Sequence, residues 1–100
     1  MSNRRRYLVS YDISDPKRLR QVFKTLHGFG THLQYSVFQC DLSEVAKYGM
    51  LAQLQEQIHH GDDRVMVVDI GPVDSRAKIA FEFLGRAPEE PPDSSGPTIV

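Results

Sequence analysis

The sequence predicts a single α+β domain whose strands and helices follow the order β-α-β-β-α-β. Two kinds of pattern predict it. Apolar residues alternate with polar ones over 5–13, and again over 31–42, as is typical of half-buried strands. Each of these stretches is followed by a segment with apolar residues at helical spacing, which begins at a helix-capping residue. The length of 100 residues and the apolar content of 40% are ordinary for one globular domain.

The first strand, predicted at 5–13, has two unlike faces. One face is apolar throughout and consists of Tyr7, Val9, Tyr11 and Ile13. The other face carries Leu8 and Ser10 and ends in the carboxylate of Asp12. Strand side chains alternate between the two faces of a sheet, so these four apolar residues share one face. An apolar face is buried, and it is therefore the face that meets the helices. Asp12 is therefore predicted on the open face of the sheet.

The first helix is predicted to begin at Pro16, after an N-cap at Asp15. Gly28 and Gly30 are predicted to end it, since glycine adopts the left-handed conformation easily. The residues from Pro16 to Gly28 form two stripes along the helix. The apolar stripe consists of Leu19, Val22, Phe23 and Leu26, and a separate basic stripe consists of Lys17, Arg20 and Lys24.

Residues 31–42 are predicted to form two strands that meet near Ser36 and Val37, because the alternation changes phase there. A second helix is predicted at 44–59 after a cap at Ser43. Gly49 interrupts this helix, so a local packing reason or an irregularity is expected. Its buried stripe is predicted to consist of Val45, Met50, Leu51, Leu54 and Ile58.

The remaining strands are less regular. Residues 65–70 are apolar on both faces until Asp69, which favours a central strand. Residues 79–84 predict a further strand, with a short helix as the alternative. This order predicts a ferredoxin-like βαββαβ sandwich with an extra C-terminal strand. Its helices cover one face of the sheet, so the open face carrying Leu8 favours a homodimer with Asp12 beside the subunit junction.

The domain is predicted to span 1–84, and 85–100 to be a proline-rich tail. Thr98–Val100 returns to strand-forming residues, so the tail is expected to dock on this subunit or on its partner. The single cysteine, Cys40, allows no internal disulfide and suits a reducing compartment. No apolar run approaches a membrane span, and no apolar signal region follows the N-terminal arginines. A cytoplasmic location is expected.

The net charge of −1 is unevenly distributed. Residues 1–30 carry seven Lys or Arg against two Asp. Such an excess can present a basic patch to phosphate, and it is equally compatible with a solvated surface.

Two segments carry a family resemblance: Tyr7–Arg20, YLVSYDISDPKRLR, and Gln34–Phe38, QYSVF. Together they resemble the CRISPR-associated protein 2 family. The resemblance implies a protein of antiviral defence that acts in spacer acquisition, built as a symmetric homodimer of ferredoxin-like subunits. It further implies a metal-dependent endonuclease that hydrolyses phosphodiester bonds in RNA or in double-stranded DNA. The same dimer would lie at the centre of a complex with the CRISPR integrase subunit, with duplex DNA across it and the last strand paired with the partner subunit.

The resemblance also assigns roles to residues. Asp12 matches the family's catalytic aspartate, whose two copies face each other across the dimer axis and hold a divalent metal. Two such carboxylates repel each other, and Mg²⁺ would relieve that repulsion and polarise a phosphodiester. Arg18 and Arg20 match arginines that follow the strand, and they are predicted to bind nucleic acid together with Lys17 and Arg5.

Other candidates have competing interpretations. Tyr11 and Phe38 would shape the site, or would simply pack in the core. Arg4–Arg6 would form a second phosphate-binding cluster or a frayed terminus. His32 stands where some family members have arginine, which removes a permanent charge. The group His59, His60, Asp62 and Asp63 is interpreted as a solvated helix end, and Cys40 as a buried apolar residue.

Three functions remain open on the sequence. The first is the Mg²⁺-dependent endonuclease, and the second is a non-catalytic scaffold that binds duplex DNA. The third is a toxin-type ribonuclease on the same fold. A metabolite-binding or RNA-binding module is disfavoured, because neither a glycine-rich ligand loop nor paired sheet aromatics are present.

Overall fold

The structure, a computed structural model, describes residues 3–73, 82–86 and 88, and the backbone of residues 98–99. The predicted order of helices and strands is confirmed. The elements are β1 (Arg5–Asp12), α1 (Pro16–His27), β2 (Thr31–Gln34), β3 (Val37–Leu42), α2 (Glu44–Gln57), β4 (Arg64–Pro72), β5 (Glu82–Phe83) and β6 (Thr98–Ile99). No helix in the described part of the chain has the length and apolarity that a membrane crossing would need.

The four longer strands form one antiparallel sheet in the order β2-β3-β1-β4, which is the strand order of a ferredoxin-like fold. Strand β1 lies between β3 and β4, with Val9 opposite Phe38 on one side and Val67 on the other. The prediction of a central strand at 65–70 is wrong, because β4 pairs only with β1 in the described sheet. Its second apolar face stays exposed instead of being buried by neighbours.

The core lies between one face of the sheet and the two helices. Val9, Phe38 and Cys40 on the sheet are fully buried against Val22 and Met50 on the helices. The open face lies behind them, and it carries Leu8, Ser10 and Asp12 as predicted. Met66 and Val68 share that face, opposite Ser10 and Leu8, and they are 54% and 41% exposed.

Helix α1 begins as predicted, because the Asp15 carboxylate accepts a hydrogen bond of 2.9 Å from the backbone N–H of Arg18. Its predicted apolar stripe is only partly buried. Val22 and Leu26 reach the core, whereas Leu19 and Phe23 remain 38% and 37% exposed. These two side chains border an open groove instead, which contributes to the candidate site below.

The two glycines after α1 have different roles from the one predicted. Gly28 has a right-handed φ of −78°, so the predicted left-handed helix end is wrong. Gly30 is required because a Cβ there would lie 2.2 Å from the Gln39 carbonyl oxygen and 2.6 Å from the Cys40 Sγ. The chain can therefore pass close to β3 only because position 30 has no side chain.

Helix α2 begins at the predicted cap, where the Ser43 Oγ accepts a hydrogen bond of 3.1 Å from the Ala46 N–H. It ends at Gln57, two residues before the predicted end. Val45 was predicted in its buried stripe but is 83% exposed, and Ala46 packs against the core in its place. The expected packing reason for Gly49 is absent, since a Cβ there would meet nothing described within 4 Å.

The predicted division of 31–42 is confirmed. Strands β2 and β3 form a hairpin whose turn is Tyr35 and Ser36, and the register shifts between His32 and Gln34. Tyr35 has a φ of +39°, in the left-handed region. The irregular register and this turn together produce the change of phase seen in the sequence.

Strands β5 and β6 pair in parallel within this chain, Glu82 with Thr98 and Phe83 with Ile99. Of the predicted segment 79–84, residues 79–81 lie outside the described residues, and 82–83 are strand rather than helix. Most of the predicted tail also lies outside them. Docking of the last strand on a partner subunit therefore stays a prediction.

We expect opposite effects from adding a methyl group at two glycines. Gly30→Ala should lower the melting temperature, because overpacking against the backbone costs about 1–3 kcal/mol. Gly49→Ala should raise it by about 4–8 °C, since alanine gains about 1 kcal/mol of helix propensity where there is room. Thermal unfolding followed by circular dichroism tests both. A Gly30→Ala protein as stable as the wild type would contradict the close approach to β3.

Candidate active site

Asp12 lies at the end of β1 with its carboxylate exposed to solvent. Its backbone neighbour across the sheet is Arg64 on β4. Among the described residues, its carboxylate makes no hydrogen bond or ion pair. The strand thus places an acidic group at the edge of the open face, where it is available to a ligand.

An open groove of about 720 Å³ begins at Asp12. It lies between the end of β1, the first turns of α1 and the turn between β2 and β3. Arg20 from α1 lines it as well, so the groove has an acidic and a basic side chain. The full lining is Tyr11, Asp12, Ile13, Leu19, Arg20, Phe23, Tyr35 and Ser36.

Aromatic side chains support this groove from the core. Phe38 is fully buried, and its ring centroid lies 5.4 Å from that of Phe23, 5.0 Å from that of His32 and 6.2 Å from that of Tyr11. Phe38 therefore packs beneath the groove without lining it. Tyr11 packs beneath the groove and also lines it, although it is only 5% exposed. Burial raises the pKa of Tyr11, so its hydroxyl stays protonated and donates to the Tyr35 carbonyl oxygen at 3.5 Å.

The loop after Asp12 is held by a buried carboxylate. Asp63 accepts hydrogen bonds from Arg18 Nε at 2.8 Å, from the His59 N–H at 2.8 Å and from the Ser14 N–H at 3.2 Å. Its side chain is fully shielded from solvent, whereas that of Arg18 is 27% exposed. The loop between β1 and α1 is thereby fixed to the loop before β4.

The hydrogen bond from Arg18 holds the pKa of Asp63 well below its usual range, and the His59 and Ser14 N–H groups act in the same direction. The same hydrogen bond raises the pKa of Arg18. The interpretation of His59–Asp63 as a solvated helix end is therefore wrong for Asp63. Its role depends on a contact with Arg18, 45 positions away in the chain, which local patterns do not reveal.

The other predicted basic residues lie in two places. Lys17 and Arg20 are exposed on α1, and Lys24 continues the same stripe. Arg5 lies at the opposite end of β1 from Asp12, about 23 Å away at the usual strand rise. It forms an ion pair with Asp69 at 2.9 Å. The structure thus places Arg20 in the groove with Asp12 and Lys17 on the same helix, and it separates Arg5 from them.

Arg6 does not belong to a surface cluster of N-terminal arginines. Arg6 is 1% exposed, and its guanidinium donates to both carboxylate oxygens of Asp41, at 2.9 and 3.0 Å. This forked ion pair joins β1 to β3. Arg6 is therefore a structural residue of the sheet and not a phosphate contact on the surface.

Asp12 is the candidate metal ligand of this site. Asp12 offers a hard oxygen donor that suits Mg²⁺. Within the described residues, however, no three His, Cys, Asp or Glu side chains come together as a metal site. Cys40 contributes nothing, because it is fully buried and burial raises the pKa of its thiol to about 12. Its predicted packing role is confirmed.

The fold and this site define a small ferredoxin-like protein with an exposed strand-end aspartate next to a basic helix. The family model described as CRISPR associated protein Cas2 matches residues 5–77. This range covers β1 to β4 and every residue of the groove. The chain belongs to the CRISPR-associated Cas2 family.

Similar proteins agree with this assignment. A protein of Geobacter sulfurreducens named CRISPR-associated endoribonuclease Cas2 is 46% identical over 69 residues, which is 69% of this chain and 73% of that protein. One from Rhodospirillum rubrum, named CRISPR-associated endoribonuclease Cas2 1, is 46% identical over 81% of this chain and 78% of its own length. The crystal structure of Streptococcus pyogenes Cas2 superposes with a TM-score of 0.60 and 29% identity, covering 63% of this chain and 82% of that one.

Removing the Asp63 carboxylate should destabilise the protein in a pH-dependent way. A carboxyl whose pKa is lowered by folding stabilises the fold above its unfolded pKa of about 3.9, and this contribution is lost as pH falls below that value. Asp63→Asn should therefore unfold at lower urea concentration than the wild type at pH 7, with a smaller difference at pH 3. Asp62→Asn, at a neighbouring carboxylate that is 61% exposed, is the matched control. Equal midpoints for the two variants at pH 7 would contradict the role of Asp63.

Proposed function

We propose that the protein is a Mg²⁺-dependent endonuclease of CRISPR spacer acquisition that hydrolyses phosphodiester bonds as a homodimer. Family membership supports this proposal, as do the relatives named endoribonuclease that match most of the chain. The observation that carries it is the exposed carboxylate of Asp12, which has no partner in the described structure and shares a groove with Arg20. A negative group for a metal and a positive group for phosphate are what this reaction needs.

The dimer is proposed from the open face of the sheet. Leu8, Met66 and Val68 lie there side by side in register, and the two residues of β4 are largely exposed. An apolar face of this kind is typical of an interface. A two-fold axis near the end of β1 would bring a second Asp12 to the first. The pair would then place a second carboxylate beside the first.

The residues around the groove have distinct proposed roles. Asp12 from each protomer would hold Mg²⁺, which supplies a Lewis acid for the phosphodiester when bound. Arg20 would bind a phosphate oxygen next to the metal, and Lys17 would contact the nucleic-acid backbone further along. Arg18 already donates to Asp63, so we assign it a positioning role for the loop between Asp12 and α1. Tyr11 and Phe38 would shape the groove from below.

The proposal is tested by cleavage of short RNA and duplex DNA in the presence of Mg²⁺ or EDTA. Asp12→Asn should lower the rate at least about 100-fold, because it removes the carboxylate that would hold Mg²⁺ and, with the metal, the stabilisation of transition-state charge. Glu56→Gln, which neutralises an exposed carboxylate on α2, should cut like the wild type. Cleavage by Asp12→Asn at the wild-type rate, or equal cleavage in EDTA, would overturn the endonuclease.

A second candidate is a DNA-binding scaffold without catalysis, placed at the centre of a complex with the integrase subunit. The basic stripe of α1 favours it, because Lys17, Arg20 and Lys24 are all exposed and follow one side of the helix. Such a stripe can follow a DNA backbone without reading its sequence. A scaffold needs no metal, so Asp12→Asn would bind duplex DNA normally.

Binding of duplex DNA should depend steeply on salt. Each lost phosphate contact lowers the slope of log affinity against log salt by about 0.9. The double variant Lys17→Gln, Arg20→Gln should therefore have a slope smaller by about 2 than the wild type in fluorescence anisotropy titrations. Lys47→Gln removes one charge from α2 and serves as the control. An unchanged slope in the double variant would place the DNA elsewhere on the protein.

A further inference from the structure

The groove beside Asp12 contains more apolar surface than a phosphodiester can use. Phosphate and its charge need only Arg20 and the Mg²⁺ that Asp12 would hold. The rest of the wall is apolar or aromatic, and Leu19 and Phe23 are each more than one-third exposed in it. A ligand that fits both parts carries an anionic group next to a flat apolar one. A nucleotide has this combination, with its phosphate attached through the sugar to an aromatic base.

Tyr35 stands out among the residues that line the groove. It is 92% exposed and occupies the turn between β2 and β3 with a φ of +39°. Glycine and asparagine favour this backbone conformation, whereas residues with larger side chains rarely adopt it. A large aromatic side chain held in an unfavourable conformation and exposed to solvent does not stabilise the fold by packing. Such an outlier points to a functional role.

The backbone of this turn is firmly held while the Tyr35 side chain is exposed. The Tyr35 carbonyl oxygen accepts a hydrogen bond of 2.7 Å from the ring of His32, whose Nε2 therefore carries the proton. The buried Tyr11 contributes two more contacts. Its hydroxyl donates to the same carbonyl oxygen, and its N–H donates to the Ser36 carbonyl oxygen at 3.1 Å. These contacts fix the backbone from which the Tyr35 side chain extends.

We propose that this groove binds one unpaired base of a single-stranded nucleic acid, which stacks on Tyr35 and packs against Phe23 and Leu19. The inference rests on the proposed function, since the phosphate attached to that base would lie at Arg20, beside the Mg²⁺ that Asp12 would hold. Stacking on an aromatic side chain accepts every base, because each has a flat π face. A base within a duplex is already paired and stacked and does not enter the groove. Tyr35 is therefore a positioning residue that favours unpaired strands.

His32 gains a role from this arrangement. Its ring donates to the Tyr35 carbonyl oxygen and packs edge-on against Phe23, with ring centroids 5.1 Å apart. It thereby connects the turn to the aromatic wall of the groove. Position 32 therefore supports the backbone of the stacking residue.

The test measures binding separately from cleavage. Short single-stranded RNA that contains 2-aminopurine is titrated in EDTA with the full chain carrying Asp12→Asn, and anisotropy and 2-aminopurine quenching are recorded. Adding Tyr35→Ala should weaken binding about 5- to 100-fold and remove the quenching, as expected when one base loses its aromatic partner. Tyr35→Phe should restore both. Tyr48→Ala, at an exposed tyrosine on α2, is the control and should change neither.

Tyr35→Gly separates stacking from folding. Glycine adopts the left-handed φ easily, so this variant should be at least as stable as the wild type. It should nevertheless bind single-stranded RNA as weakly as Tyr35→Ala. A purely structural role for Tyr35 predicts the reverse, with binding retained in a well-folded glycine variant, and would overturn the inference.

The outcomes distinguish this inference from the proposed function. Binding that depends on Tyr35 in a protein that cuts no RNA would support the groove and refute the endonuclease. Cleavage that depends on Asp12 but is unchanged in Tyr35→Ala, with unchanged quenching, would refute the groove and support the endonuclease. A second copy of the chain seated in the groove would also refute it. In that case Tyr35→Ala would weaken the dimer in analytical ultracentrifugation and leave RNA binding intact.

Discussion

The two-residue alternation of β1 is the constraint on which the rest of the structure depends. Because β1 lies between β3 and β4, its residues from Arg5 to Ser10 have a cross-strand neighbour on both sides, and Tyr11 and Asp12 have one on β4. Tyr7, Val9 and Tyr11 are buried against the helices, and Asp12 is thereby directed to the open face. A slip of one residue would expose the core side chains and bury the carboxylate. The hydrophobic core and the exposed Asp12 are two results of one register.

Two connections convert this register into a groove. The buried carboxylate of Asp63 fixes the start of α1 through Arg18 and Ser14, which keeps Arg20 beside the end of β1. On the other side, Tyr11 reaches from the core to the turn between β2 and β3. The groove is therefore bordered by three elements that are each anchored to the buried part of the protein. Rigid support of this kind is what a positioned phosphate and base require.

The local patterns predicted most of the fold correctly. Helix caps at Asp15 and Ser43 and the change of phase near Ser36 depend on neighbours within a few residues. The errors concern surfaces. Val45 and the outer face of β4 are apolar, and apolar residues were predicted to be buried. Periodicity identifies a face of an element, but it does not reveal whether another element is present to cover that face.

The sequence by itself determined the order of helices and strands, the caps, the family and the exposed face of Asp12, because each depends on local spacing or on a short motif. Only the tertiary structure paired Asp63 with Arg18 and Arg6 with Asp41. It also brought Tyr35 to the groove. These contacts join residues 20 to 50 positions apart. In a sequence, an aspartate that will be solvated has the same charge and polarity as one that will be buried with three hydrogen-bond donors. The packing of distant segments decides whether the aspartate is solvated or buried.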